Sequence, residues 1–265
     1  MELSPATLEI IPGWFSVLDQ DVFGAVLSHQ DYGHVLEIGV YQGKSAIFIE
    51  QFREAAEEFH VCDVFDSVQT HSHNNTEIKK SYEDLSFSKF KMNFERFFPH
   101  MPIVHICDSE NLSMRIGSKI FRFIHIDGSH LYDIVKKDLM FASEHLHPEY
   151  GVIAMDDYRA AHTTGVAAAM WEYIIQGYLV PVLITPNKAY LAKRNHKVDI
   201  ETLINSMVAK GYEIEQVDAA NVLFYRIVGQ EDTFMNQRYK TLRLLLPPIF
   251  VNLLQKVRRN ALDKK

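Results

Sequence analysis

Apolar positions along the chain fall into short runs, each closed by a polar or glycine turn and followed by a stretch of helical period. Residues 34–38 (HVLEI) read as a buried strand. Residues 45–59 then set Ile47, Phe48, Phe52, Ala55 and Phe59 on one helical stripe, with the charges elsewhere. Further strands are predicted at residues 60–65, 102–107, 122–126 and 151–155, with helices at about 131–146 and 165–176. Short strands alternating with helices imply a mainly parallel sheet covered on both faces. Right-handed crossovers put every C-terminal strand end on one rim, where ligands bind near the switch in strand order.

Past residue 178 the rhythm changes. The runs VPVLIT and KAYLAK flank Pro186 and Asn187 like a hairpin, and a helix at 198–210 with strands at 213–217 and 221–228 completes the body. Residues 66–86 form a polar stretch where a short connection is usual, which reads as an active-site lid with Tyr82 and Phe87 as apolar contacts. Within it, His71 and His73 are too few for zinc. The division expected is a domain at residues 1–230 and an amphipathic, helical C-terminal extension at 231–265, split by Pro247 and Pro248.

Composition narrows the class. The chain has 265 residues, 47% apolar and 23% charged, enough for a substantial core without staples. Disorder, collagen, coiled coil and membrane channel are excluded, and no apolar run is long enough for a transmembrane segment. A net charge of −7 gives no general reason to expect nucleic-acid binding. From Phe234 onward the chain carries +7, leaving −14 for the rest, so the extension is suited to docking on an acidic surface. Its many leucines favour packing on the parent domain or on a second copy, as a homodimer, over binding a membrane surface. Cys62 and Cys107 cannot make a disulfide framework, and with no secretory pattern at the start a reducing, cytoplasmic location is expected.

Five strand ends carry candidate chemistry. Glu37, Gly39, Gly43 and Ser45 lie between the first strand and the first helix, in an E-x-G-x-x-x-G spacing unlike a dinucleotide fingerprint or a P-loop. The glycines let backbone approach a ligand, and the carboxylate suits an ammonium or sulfonium group better than a pyrophosphate. A tight structural turn is the competing reading. Asp63, ending the second strand 20 residues past Gly43, sits where a carboxylate meets a ribose, with Asp66 as its local rival. Asp108 and Ser109 follow the third strand, where they either bond a purine or, the favoured reading of the pair alone, cap the next helix.

Asp127 and His130 end the fourth strand, with Gly128 letting the histidine fold back beside the aspartate. Phe123, His125 and Asp127 share one face of that strand. Asp156 and Asp157 end the fifth and reach a common point only if the chain leaves strand geometry there. At ~4 Å and an effective dielectric of ~20, two carboxylates repel by about 4 kcal/mol. Convergence of Asp127, Asp156 and Asp157 therefore calls for a divalent cation, Mg²⁺, Mn²⁺ or Ca²⁺ rather than zinc, or for raised pKa values. A helix cap is the alternative for the final pair.

In order, LEIGVYQGKS, CDVF, CDSENL, FIHIDGSHLYDIVKKDL and GVIAMDDY resemble a class I S-adenosylmethionine-dependent methyltransferase. More narrowly, they are similar to the metal-dependent sugar O-methyltransferases of macrolide pathways. The resemblance spans about residues 35–194 and implies a Rossmann-like, doubly wound α/β fold. It also implies methyl transfer from S-adenosylmethionine to a hydroxyl of a small molecule: sugar, polyketide or phenol. Glu37, Gly39, Gly43 and Ser45 would border the methionine part of the cofactor, and Asp63 would hold the ribose. Asp108 and Ser109 would lie near adenine. Asp127, also beside the cofactor, would ligate Mg²⁺ with Asp156 and Asp157, and His130 would be the base. Asp156 departs from relatives that carry Glu. Related sequences also include a hydroxylase, and a non-catalytic cofactor-binding protein is the third alternative.

Overall fold

A computed structural model describes residue 3, residues 5–67 and residues 84–228. The middle of the expected lid, with Tyr82, His71 and His73, and the whole extension at 231–265 lie outside the described residues. The chain divides into two compact units, residues 1–227 and residues 228–265. The first contains the sheet and the helices on its faces.

The elements run α1 (Pro5–Leu8), α2 (Val17–Ser28), β1 (His34–Ile38), α3 (Lys44–Glu50), β2 (Phe59–Asp63), α4 (Phe87–Phe94), β3 (Ile103–Ile106), a 3₁₀ turn (Ser109–Asn111), α5 (Ser113–Ile116), β4 (Phe121–Ile126), α6 (Tyr132–His145), β5 (Val152–Met155), α7 (Thr164–Ile175), β6 (Leu179–Ile184), β7 (Ala189–Lys193), α8 (Ile200–Ala209), β8 (Glu213–Ala219) and β9 (Val222–Val228). The described strands form one sheet in the order β3-β2-β1-β4-β5-β7-β6-β9-β8. From β3 to β5 every pairing is parallel, and β7 runs antiparallel to β5 and to β6, as the hairpin pattern predicts. The order reverses between β1 and β4, so the switch point falls where the predicted site residues end their strands.

Period-2 alternation sorts each strand between two cores. Val35 and Phe123 pack with Phe23 of α2, Ile47 of α3 and Phe90 of α4 on one face. Leu36, Ile38, Ile124 and Ile126 pack with Val135 and Leu139 of α6 and Met170 of α7 on the other. Burial of each large side chain contributes about 1.5–3 kcal/mol. At the rim opposite the site, Arg122 at the start of β4 makes a fork to Glu57, with Nε to Oε1 at 2.7 Å and Nη2 to Oε2 at 3.0 Å. It also donates to the carbonyls of Leu27, Gly33 and Phe52, tying α2, β1 and the approach to β2 together.

Two local expectations are corrected. The first helix ends at Glu50, not near residue 59, because Gln51 and Arg53 fold back onto the last turn. Arg53 binds the Glu50 carboxylate and the carbonyls of Glu54 and Glu57, and Phe59 opens β2. The helix Val17–Ser28 is absent from the pattern reading, yet Ser16 and Asp19 form a capping box at its start, the S-x-x-D signal that announces it. Among the described residues no helix is long and apolar enough to cross a membrane.

Candidate active site

A cavity of about 740 Å³ opens over the C-terminal ends of β1 to β5, walled on one side by residues 12–16 with Glu9 and Asp19. Of the predicted site residues, Gly39, Ser45, Asp63, Asp108, Ser109, Asp127, His130, Asp156 and Asp157 line it. Glu37 and Gly43 do not.

Gly39 shows why the first turn needs glycine. Its φ is +84°, and a Cβ there would lie 2.0 Å from the carbonyl oxygen of Asp127, so the ends of β1 and β4 close on each other only without a side chain. Gly43 serves packing instead: a Cβ would meet the Phe90 ring at 2.7 Å. Between them, the backbone N–H groups of Val40 and Tyr41 donate to Asp63 Oδ2 at 2.7 and 2.9 Å. Oδ1 accepts from Val64 at 2.7 Å and Phe65 at 3.3 Å. Burial raises the Asp63 carboxyl above its ordinary value, against the pull of these four donors. Its rival Asp66 spends a carboxylate oxygen on the Phe87 N–H.

Glu37 is displaced from the expected ligand contact. It is fully buried, paired in register with His125 on the neighbouring strand, and its Oε1 lies 2.7 Å from His125 Nδ1. Strand alternation carries it beneath α2, where Phe23 packs edge-on to the imidazole. Burial pushes the Glu37 carboxyl up to about 8, opposed by the Ser45 hydroxyl and the Lys188 ammonium. The same burial, with Lys188, pushes His125 down to about 3. The carboxylate two residues before Gly39 is thus a partner for a histidine, not a counter-ion for a ligand.

At the third strand, Asp108 makes no side-chain cap bond to the following 3₁₀ turn, which corrects the cap reading. The cap reading of Asp156 and Asp157 fails as well, since α7 begins only at Thr164. The chain does leave strand geometry there: Asp157 has φ +56°. Its Oδ2 lies 3.1 Å from His130 Nε2, and that contact, before the opposing effect of burial, lowers the Asp157 carboxyl. His130 thus meets Asp157.

Asp127 and Asp156 do converge, with His125 in place of Asp157: one donor atom from each lies within 4.8 Å of the others. Burial, then the Asp156 charge, raises the Asp127 carboxyl well above its ordinary value. Lys188, itself buried, forms an ion pair with Asp156. The expected set of Asp127, Asp156 and Asp157 thus has one member turned to a histidine and another already neutralised by an ammonium. As folded, these donors do not fit a divalent cation.

Sequence reasoning missed His125, Lys188, the wall at residues 12–16 and the paired thiols. Cys62 and Cys107, both free, line the cavity with sulfurs 3.8 Å apart. Trp14 lies against Tyr41, with ring centroids 5.9 Å apart.

Residues 36–158 match a family model described as a methyltransferase domain. The chain carries a methyltransferase domain. The sheet order and the strand-end cavity fit the Rossmann-like fold of class I, S-adenosylmethionine-dependent methyltransferases. Among solved structures, the methyltransferase is similar to the O-methyltransferase NovP, at 15% identity over 66% of this chain and 78% of that one, with a TM-score of 0.52. CalS11, a TDP-rhamnose 3′-O-methyltransferase in calicheamicin biosynthesis, gives 16% identity, 72% and 81% coverage and a TM-score of 0.47. An O-methyltransferase from Bacillus cereus in complex with SAH gives 13%, 84% and 89%, and 0.43. At such identities the likeness is one of fold. No curated protein sequence matches the chain.

Proposed function

We propose that this methyltransferase moves a methyl group to a hydroxyl of a small molecule such as a sugar, polyketide or phenol, with His130 as general base. The observation that carries the reading is the 3.1 Å contact between His130 Nε2 and Asp157 Oδ2 on the cavity wall. S-adenosylmethionine, when bound, supplies an electrophilic methyl group on a sulfonium. Asp63 would meet its ribose, Asp108 and Ser109 its adenine, and Gly39 and Ser45 its methionine end. These residues follow one another around the cavity as the strand ends do.

Asp157, at Nε2 of His130, orients the imidazole that takes the proton of the acceptor hydroxyl. A base so placed contributes ~10²–10⁴-fold. Alignment of acceptor and methyl group by the walls can supply ~7–11 kcal/mol. The predicted divalent cation has support in the convergence of Asp127 and Asp156 and is opposed by Lys188; the reaction as proposed needs none.

Calorimetry with S-adenosylmethionine and its demethylated product, followed by transfer assays on hydroxyl-bearing sugars and phenols, tests the reading. Micromolar cofactor binding and methylation on oxygen are expected. Absence of heat with either cofactor form, or methylation confined to amines, would overturn it.

A further inference from the structure

Lys188 closes the turn between β6 and β7, next to Asn187 of the cavity wall, and reaches Asp156 of the same wall. Its side chain is 1% exposed, its ammonium is bonded to Asp156, and it lies 6.0 Å from the centre of the Phe23 ring. An ammonium so buried survives only among opposite charges. Burial alone would depress it; Asp156, Asp19 and Asp127 outweigh that effect and hold it above its ordinary value.

Around this ammonium stands a set of donors that resembles a metal site. Donor atoms of His125, Asp127 and Asp156 cluster within 4.8 Å. The His125 ring is fully buried, its Nδ1 held by Glu37 at 2.7 Å and its Nε2 without a hydrogen-bond partner. A carboxylate behind an imidazole whose other nitrogen turns to acids is how proteins present histidine to a metal. Here the positive charge those acids require is already covalently attached to the chain.

We infer that Lys188 is a built-in cation: its ammonium stands where a divalent metal would, holding Asp127 and Asp156 together and excluding a metal from the Asp127–Asp156–His125 cluster. Lys188 is thereby a positioning residue. The inference rests on the methyl-transfer reading only in assigning the cluster to the acceptor end of the cavity. It also accounts for the conflict between converging carboxylates and a turned-away Asp157. A two- or three-carboxylate site with a metal in it would have no use for an ammonium at bonding distance from one ligand, because like charges at that range repel strongly.

Mn²⁺ titration followed by electron paramagnetic resonance, on full-length protein stripped with EDTA, tests this without reference to activity. Wild type is expected to leave the free-ion spectrum unchanged. Lys188→Met is expected to gain one Mn²⁺ per chain, with affinity at least ~100-fold above wild type, and to lose it again when Asp156→Asn is added. Lys188→Gln carries the same test should methionine prevent folding, and binding of the demethylated cofactor by calorimetry identifies folded variants. Two results would overturn the inference: Mn²⁺ bound by wild type and released by Asp156→Asn, or a folded Lys188 variant that gains no Mn²⁺. Failure of the methyl-transfer reading would appear instead as absence of cofactor heat in wild type.

Discussion

His130 and Asp157 form a 3.1 Å pair across the gap between the ends of β4 and β5, and the aspartate reaches it through a left-handed backbone conformation. A non-glycine residue at φ +56° costs of order 1 kcal/mol or more, and here it turns the carboxylate toward the histidine. If the pair is base and orienter, His130→Ala lowers kcat ~10²–10⁴-fold with the affinity for the demethylated cofactor nearly unchanged. Asp157→Asn keeps the shape but gives up the anionic acceptor, and a smaller loss of kcat is expected at similar KM. Steady-state kinetics beside calorimetry check both, and full turnover by His130→Ala would remove it as base.

Gly39→Ala should be among the most damaging single changes in the domain. The new methyl would lie 2.0 Å from the Asp127 carbonyl oxygen and 2.7 Å from the Gly128 nitrogen, both backbone atoms that cannot rotate away. The left-handed φ alone costs an alanine roughly 1–2 kcal/mol. Separation of β1 from β4 would add to this and open the cavity floor. A fall in thermal midpoint together with loss of cofactor binding is expected; retention of both would show that the strand ends have more freedom than their contact implies.

The strand ends were legible because their signals are local. Asp63, Asp127, Asp156 and Asp157 each close an apolar run, and a parallel sheet must gather such ends on one rim. What escaped depends on pairing between distant segments. Glu37 meets His125 only because β1 and β4 are neighbours in register, and nothing within LEIGVYQG distinguishes a carboxylate beside a ligand from one beside a histidine. Lys188 reaches Asp156 from 32 residues away, through a hairpin turn whose own pattern predicts only a reversal. Repulsion among carboxylates predicts a divalent ion. The fold meets that repulsion with an internal ammonium and a raised Asp127 carboxyl, terms that no spacing reveals.

Glu57 and Arg122 make a stability prediction remote from the chemistry. Both side chains are almost wholly buried, and Arg122 binds three backbone carbonyls besides the carboxylate. Glu57→Gln leaves a guanidinium unpaired in the interior, a loss of about 3–5 kcal/mol. For a domain of this size the thermal midpoint falls on the order of 10 °C. Burial pushes the Glu57 carboxyl up, but Arg122 and the N–H groups of Glu54 and Gly33 pull it further down, so its folded value lies below its unfolded one. The stability it contributes is present above the unfolded pKa and lost as pH falls through the lower folded value. The gap between wild type and variant should therefore close under acid conditions, below about pH 4.

Asp138 gives the opposite slope. It lies buried in α6, its carboxyl pushed up to about 7 by burial and drawn down only in part by the Ser109 hydroxyl, and its Oδ2 has no hydrogen-bond partner. A folded pKa above the unfolded one means that the native state holds the proton more tightly. Stability is then full below the unfolded value near 4 and is lost progressively as pH rises toward 7, beyond which the loss is constant. Asp138→Asn keeps size and hydrogen-bonding shape without the charge. The variant should match wild type near pH 4, gain steadily through pH 5 and 6, and stand roughly 2–4 kcal/mol more stable at pH 8. Urea denaturation at four pH values between 4 and 8 checks the slope. A difference that stays flat across that range would mean that Asp138 is ionised throughout, with a partner for Oδ2 such as an ordered water supplying what burial takes away.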